Sequence, residues 1–173
     1  MAVTAFLFPG QGSQVVGMAR ILAQSSKIAK DILSEIDDAL DFKLSTLMAE
    51  GPCEDLQLTQ NAQPALFASS ICTLRVLQNE TGKTISELCS FVAGHSLGEY
   101  SALCAAGSLG IAETARLLHL RGQCMQQAVP VGEGAMAALI GADLAIAEEI
   151  AIASADAGPC LLYTSPSPRD RSS

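Results

Sequence analysis

The sequence predicts an α/β fold, and three observations predict it. Two short β-prone runs, Thr4-Ala-Phe-Leu-Phe8 and Phe91-Val-Ala-Gly94, each lead into a glycine-containing turn. Helical periodicity fills the long stretches between and after them, most clearly over residues 27–40 and 111–128. The chain has 173 residues, 49% of them apolar, enough for one domain with a real core and too many for a disordered chain.

The first strand, residues 4–8, is closed by Pro9-Gly10 and followed by the loop Gly10-Gln11-Gly12-Ser13-Gln14. Two glycines around one polar residue let backbone approach a ligand closely. Taken alone, the stretch favours the plainer reading, a strand-to-helix connection with Ser13 as N-cap. It lacks the lysine of a P-loop and the spacing of a dinucleotide fingerprint, which disfavours nucleotide binding. Residues 15–24 and 27–40 read as helices. The second puts Ile28, Ile32, Leu33, Ile36 and Leu40 on one face and Lys30, Asp31, Glu35 and Asp38 outside. Residues 44–48 and 53–58 are short helical pieces separated by Gly51-Pro52, and residues 59–64 read as a polar loop. Pro64 suits the first turn of the next helix. That helix runs to about residue 78 and is apolar nearly all round, which makes it central. A short helical piece after Thr81-Gly82 precedes the second strand, and a buried helix after that strand ends at Gly107. Beyond the helix at 111–128, residues 129–134 read as a linker, 135–140 as a strand and 144–157 as an alanine-rich helix, the start of a new βα unit.

The chemistry centres on Gly94-His95-Ser96-Leu97-Gly98, which fits G-x-S-x-G, the nucleophile elbow. The serine must sit on a tight turn with its hydroxyl exposed, and a side chain two residues either side would crowd that turn. The helix that follows aims backbone N–H groups at the reacting centre. The plain alternative is Ser96 as an ordinary N-cap. A serine nucleophile needs a base, usually histidine. His95 adjoins Ser96, and neighbouring side chains on a turn diverge, so it reads as a turn-packing residue. His119 lies two positions from Arg121, about 200° around a helix axis, facing solvent or a polar seam. Arg121 projects from the apolar side of its helix, where an unpaired charge is costly. Either an acid in the fold neutralises it or it awaits an anionic ligand.

The net charge of −8 argues against a broad nucleic-acid surface but not against an anionic substrate. No apolar run approaches the length of a membrane span, and the N-terminus lacks the basic region of a signal peptide. The six cysteines, Cys53, Cys72, Cys89, Cys104, Cys124 and Cys160, show no C-x-x-C spacing and read mostly as small core residues in a reducing compartment. With two histidines, they make no metal-ligand cluster. From Cys160 to Ser173 the sequence turns Ser/Pro/Arg-rich and loses periodicity. It reads as translated adapter sequence rather than a native tail, which would end the native chain near Pro159.

Phe8-Pro-Gly-Gln-Gly-Ser-Gln14, residues 59–64, Gly94-His-Ser-Leu-Gly-Glu-Tyr-Ser101 and the Arg121-Gly122 helix, in this order and spacing, closely resemble the bacterial malonyl-CoA:acyl carrier protein transacylases. The same fold serves as the acyltransferase domain of polyketide synthases. The resemblance covers residues 1 to about 159, a little over half of the family's usual length. It implies an α/β-hydrolase-like large subdomain (residues 1–128) and, after a linker, the first βα unit of an inserted ferredoxin-like small subdomain (129–159), with 160–173 foreign. It further implies that Ser96 is acylated by malonyl-CoA. The backbone N–H groups of Gln11 and Leu97 would form the oxyanion hole, Arg121 would pair with the malonyl carboxylate, and Gln63 would line the site. The acceptor would be the phosphopantetheine thiol of acyl carrier protein. The enzyme would be cytoplasmic, monomeric when intact, and free of metal or redox cofactors. The family's catalytic histidine and the glutamine that supports it lie beyond this chain, which would leave the fragment inactive alone. Two rivals are a serine esterase or thioesterase of the α/β-hydrolase class and a non-catalytic fragment that docks carrier protein or coenzyme A.

Overall fold

A computed structural model describes residues 3–128, 137, 139, 141–155, 158, 160 and 162. The expected linker at 129–134, most of the expected strand at 135–140 and most of the tail from 160 lie outside the described residues. The chain divides into two units, residues 1–133 and 134–173.

In the first unit the order is β1 (Ala5–Phe8), α1 (Arg20–Ser25), α2 (Lys27–Leu40), α3 (Leu44–Glu50), α4 (Cys53–Gln57), α5 (Thr59–Thr81), α6 (Ile85–Leu88), β2 (Phe91–Gly94), α7 (Gly98–Ala105) and α8 (Ile111–Ala128). The second unit contains α9 (Leu144–Ser154), whose N-cap Asp143 accepts the Ile146 N–H at 2.9 Å. It ends at Ser154, and residues 156 and 157 of the expected span lie outside the described residues. No helix among the described residues is long and apolar enough to cross a membrane.

β1 and β2 pair in parallel, with Ala5 opposite Phe91 and Phe8 opposite Gly94. Both strands are apolar at nearly every position, the composition of a parallel sheet meant to be covered on both faces, but Leu7 and Phe91 on one face are exposed. Phe8 is buried with Leu74, Ala102 and Ala105, and Phe6, Val92 and Ile85 pack around them. The larger core lies among α2, α5, α7 and α8, where Ile36, Phe67, Ile71, Ala115 and Leu118 are fully buried. The periodic pattern of α2 places Ile32, Leu33 and Ile36 inside as expected, and Ser26 caps the helix by accepting the Ala29 N–H.

Three expectations need correction. The expected helix at 15–24 is only α1, because Gly17 (φ 95°) and Ala19 (φ 59°) are left-handed and break any helix before Arg20. Ser13 is therefore not its N-cap. Residues 59–64 are not a loop: α5 begins at Thr59, and Pro64 lies inside it rather than in its first turn. The polar residues there read as a loop because their partners lie on another helix. Asn61 and Gln63 are buried, and Asn61 donates to the Asp55 carbonyl at 2.8 Å. Of the six cysteines, only Cys72, Cys89 and Cys104 are buried, while Cys53, Cys124 and Cys160 are exposed. Periodicity also left Asp37 unassigned. It is buried on α2 and holds the start of α3, accepting from the Ser45 N–H at 2.8 Å and the Ser45 hydroxyl at 2.6 Å. Its charge is balanced by Lys43 at 3.7 Å.

Candidate active site

The site starts from a close approach of backbones. Gly94 ends β2 and Gly98 opens α7, and a Cβ on Gly94 would lie 1.9 Å from the Gly98 carbonyl. A Cβ on Gly98 would lie 2.3 Å from the Phe8 carbonyl oxygen. No side chain fits at either position, so both glycines are required for α7 to start directly over the strand ends. Between them Ser96 has φ 56°, a left-handed conformation that costs a non-glycine residue about 1–3 kcal/mol. An ordinary N-cap has extended backbone and accepts an N–H from its own helix. Ser96 does neither: its hydroxyl is exposed and its hydrogen bond comes from Arg121, whose Nη2 lies 3.2 Å away. Leu97, 1% exposed, anchors the turn in the core.

The loop after β1 lies against this elbow. The His95 N–H donates to the Phe8 carbonyl at 3.2 Å. The His95 ring packs on Gly10 so closely that a Cβ there would meet Nδ1 at 2.7 Å. His95 is thus the turn-packing residue the sequence suggests. Gln11 follows, its side-chain amide 3.4 Å from the Thr59 hydroxyl. Neither the Gln11 nor the Leu97 backbone N–H is taken by a hydrogen bond among the described residues, so both remain available to an oxyanion.

Arg121 reaches the site because α8 crosses the first turns of α5 at very short range. At the crossing a Cβ on Gly122 would lie 2.4 Å from the Gln60 Cα and 2.7 Å from the Thr59 carbonyl oxygen. One residue earlier, Arg121 Nη1 donates to Gln63 Oε1 at 2.5 Å. Gln63 is fully buried, and its Nε2 lies 3.3 Å from the Met125 sulfur. Among the described residues no carboxylate pairs with Arg121. Of the two readings of its apolar placement, an acid in the fold finds no support here. Sequence reasoning missed Tyr100, whose ring lies 6.0 Å from the guanidinium carbon. Its place one turn after Ser96 was the available signal, but ring direction is set by packing.

Ser96, Gln11, Leu97, Arg121 and Gln63 therefore come together from β1's loop, the elbow, α5 and α8. The base does not. His119 bonds to the Gln60 carbonyl at 2.8 Å and to Gln123 at 3.0 Å, in a polar seam away from Ser96. Among the described residues no group of three or more His, Cys, Asp or Glu could hold a metal ion.

A strained, exposed serine at a strand–turn–helix junction, with free N–H groups and a cation beside it, is the arrangement of an acyl-transfer nucleophile. The chain belongs to the acyl transferase domain family, whose model matches residues 5–166. It is 50% identical over 143 residues to the malonyl CoA-acyl carrier protein transacylase of Bacillus subtilis (strain 168), covering 83% of this chain and 44% of that protein. The corresponding protein of Escherichia coli (strain K12) is 48% identical, with 83% and 45% covered. The chain thus spans less than half the length of these curated relatives. Among solved structures, the acyl-carrier-protein-S-malonyltransferase of Bartonella henselae matches with a TM-score of 0.85 at 51% identity, over 95% of this chain and 52% of that one. A malonyl-transacylase in complex with a type II PKS acyl-carrier protein matches with a TM-score of 0.69 at 44% identity, over 75% and 40%.

Proposed function

We propose that the chain is the N-terminal part of an enzyme that moves a malonyl group from malonyl-CoA to the phosphopantetheine thiol of acyl carrier protein. The observation that carries this reading is the Arg121 guanidinium, 3.2 Å from the Ser96 hydroxyl and without an acidic partner among the described residues. In a malonyl thioester the carboxylate stands one methylene from the reacting carbonyl. A cation within reach of the nucleophile is within reach of that carboxylate too. Acyl groups without a carboxylate leave the guanidinium unpaired, which penalises them.

Ser96 Oγ attacks the thioester carbonyl carbon and the coenzyme A thiolate leaves. The oxyanion is held by the N–H groups of Gln11 and Leu97, while Gln63 orients Arg121. The base takes the Ser96 proton and passes it to the departing coenzyme A sulfur. In the second half-reaction it takes the proton of the phosphopantetheine thiol, whose sulfur attacks the malonyl-serine ester, and gives that proton to Ser96 as the ester bond breaks. This base is supplied by sequence beyond this chain, and no metal or redox cofactor enters. Support for the acceptor comes from the relatives' names and from the neighbour in complex with its carrier protein. The finer architecture belongs to the same proposal: an α/β-hydrolase-like large subdomain over residues 1–128, and the opening of a ferredoxin-like small subdomain over 129–159. The intact enzyme would be monomeric and cytoplasmic.

The test is acylation of the intact enzyme by malonyl-CoA without acceptor. Mass spectrometry should find a malonyl group on Ser96, absent in Ser96→Ala, and only slow hydrolysis until carrier protein is added. Malonyl on another residue, or undiminished labelling of the variant, would refute the assignment. Steady hydrolysis without acceptor would point to an esterase instead.

A further inference from the structure

We propose that His119 is a positioning residue for Arg121, acting through the first turns of α5; its effect on acyl preference rests on the function proposed above. The starting point is Pro64. Inside a helix, the residue at 64 would donate its N–H to the carbonyl of Gln60, and proline has none to give. That carbonyl is left for another donor. His119 Nδ1 lies 2.8 Å from it. A carbonyl only accepts, so Nδ1 carries the proton. In the neutral ring Nε2 is then the acceptor, and the Gln123 amide nitrogen lies 3.0 Å from it. Both ring nitrogens are thus used, and the imidazole is held in one tautomer and one orientation.

This contact joins α8 to α5 where rotation of α8 matters most. His119 grips the Gln60 carbonyl, Gly122 rests on the Gln60 Cα, and Arg121 between them reaches Gln63 and Ser96. A glycine contact resists approach but not rotation about the helix axis. His119 supplies the directional bond that sets rotation, and hence where the guanidinium points. Its ring is backed by Phe42, at a centroid distance of 5.4 Å, so it cannot swing away freely. The same two turns of α5 also meet the oxyanion loop through Thr59 and Gln11. The segment that reads as a polar loop in the sequence is the bracket on which both halves of the site are mounted.

The experiment compares His119→Asn and His119→Phe in the intact enzyme. Asparagine puts an amide N–H close to where Nδ1 stands; phenylalanine keeps the ring volume against Phe42 and loses the donor. His119→Phe should lower the malonyl-over-acetyl ratio of kcat/KM by about tenfold, and His119→Asn should stay within about twofold of wild type. A crystal structure of His119→Phe should show Arg121 displaced from Gln63 and Ser96. Should that variant not fold, nitrogen NMR of the wild-type imidazole decides: Nδ1–H supports the proposal, and an Nε2–H tautomer overturns it. An unmoved Arg121 or an unchanged acyl preference in His119→Phe also overturns it, as does equal loss with both acyl groups that asparagine fails to rescue. If wild type never acylates Ser96, the functional reading falls, while a displaced Arg121 in His119→Phe still upholds the positioning role.

Discussion

Arg121 and the buried thiols separate function from packing at the level of single side chains. Under the proposed function, Arg121→Ala in the intact enzyme would remove a charge-assisted, bidentate partner for the malonyl carboxylate. Malonyl transfer should fall by on the order of 2–4 kcal/mol, or about 30- to 1000-fold, while acetyl transfer changes far less. Steady-state kinetics with both acyl donors checks this, and equal losses would mean that Arg121 only supports the fold. The cysteines give a second residue-level test, with no chemistry at the site. Burial pushes the Cys72 thiol up to about 12. It also raises Cys104, with the Thr114 hydrogen bond and Arg75 pulling the other way. A thiol-reactive probe at neutral pH should therefore modify the exposed Cys53 and Cys124 in the native state and spare Cys72 and Cys104 until the chain unfolds. For Cys72 the linkage has one sign: above pH 9 the unfolded chain loses this proton first, so stability falls as pH rises from 9 towards 12. Peptide mapping after alkylation reads the order of modification.

Among the elements, α8 and α5 depend on each other, and Gly122 is where they meet. Gly122→Ala puts a methyl group 2.4 Å from the Gln60 Cα, against backbone that cannot move aside cheaply. Overpacking of this kind costs about 1–3 kcal/mol. It should lower the thermal midpoint and, by lifting α8, reduce malonyl transfer more than stability alone explains. Calorimetry with single-turnover acylation tests both; an unchanged midpoint would show that the crossing is looser than its geometry indicates. The two helices also divide what was legible. The bounds of α2 and α8 follow from apolar residues recurring at helical spacing against one core, and both agree with the expected 27–40 and 111–128. The start of α5 did not follow, because Asn61, Gln63 and Pro64 signal a loop by local chemistry. Asn61 is satisfied by the Asp55 carbonyl on the preceding helix and Gln63 by Arg121 of α8, so only the packed structure lets them be helical.

For the whole molecule, one face of the strand pair is exposed among the described residues. Leu7 is 77% and Phe91 64% exposed, and Ala5 and Ala93 share their face of the strand pair. Along β1, a groove of about 470 Å³ is lined by Phe6, Leu7, Phe8, Met18, Leu66 and Leu74 and does not include Ser96. Covering a side chain such as Leu7 or Phe91 stabilises by about 1.5–3 kcal/mol, a sizeable part of the 5–15 kcal/mol that holds a domain folded. The 173-residue chain by itself should therefore bind apolar dyes, unfold over a broad range and transfer no malonyl, since neither His95 nor His119 hydrogen-bonds Ser96. A monomeric sample with a sharp transition and transfer near that of the intact enzyme would overturn both parts.

The sequence by itself determined the α/β class, the strand–elbow–helix at Gly94 to Gly98 and the helical face that carries Arg121. Each rests on a local rule: alternation or helical spacing, and the steric need for glycine at a tight turn. It also brought Gln11 and Gln63 forward, through a resemblance rather than through periodicity. Only the tertiary structure decided what Arg121 pairs with, because the choice between a buried acid and an open ligand position depends on residues 25 and 58 positions away. The same holds for Asp37, for the helical start of α5 and for His119. In each a polar group is satisfied by a partner from another segment, and no spacing along the chain records which partner that is.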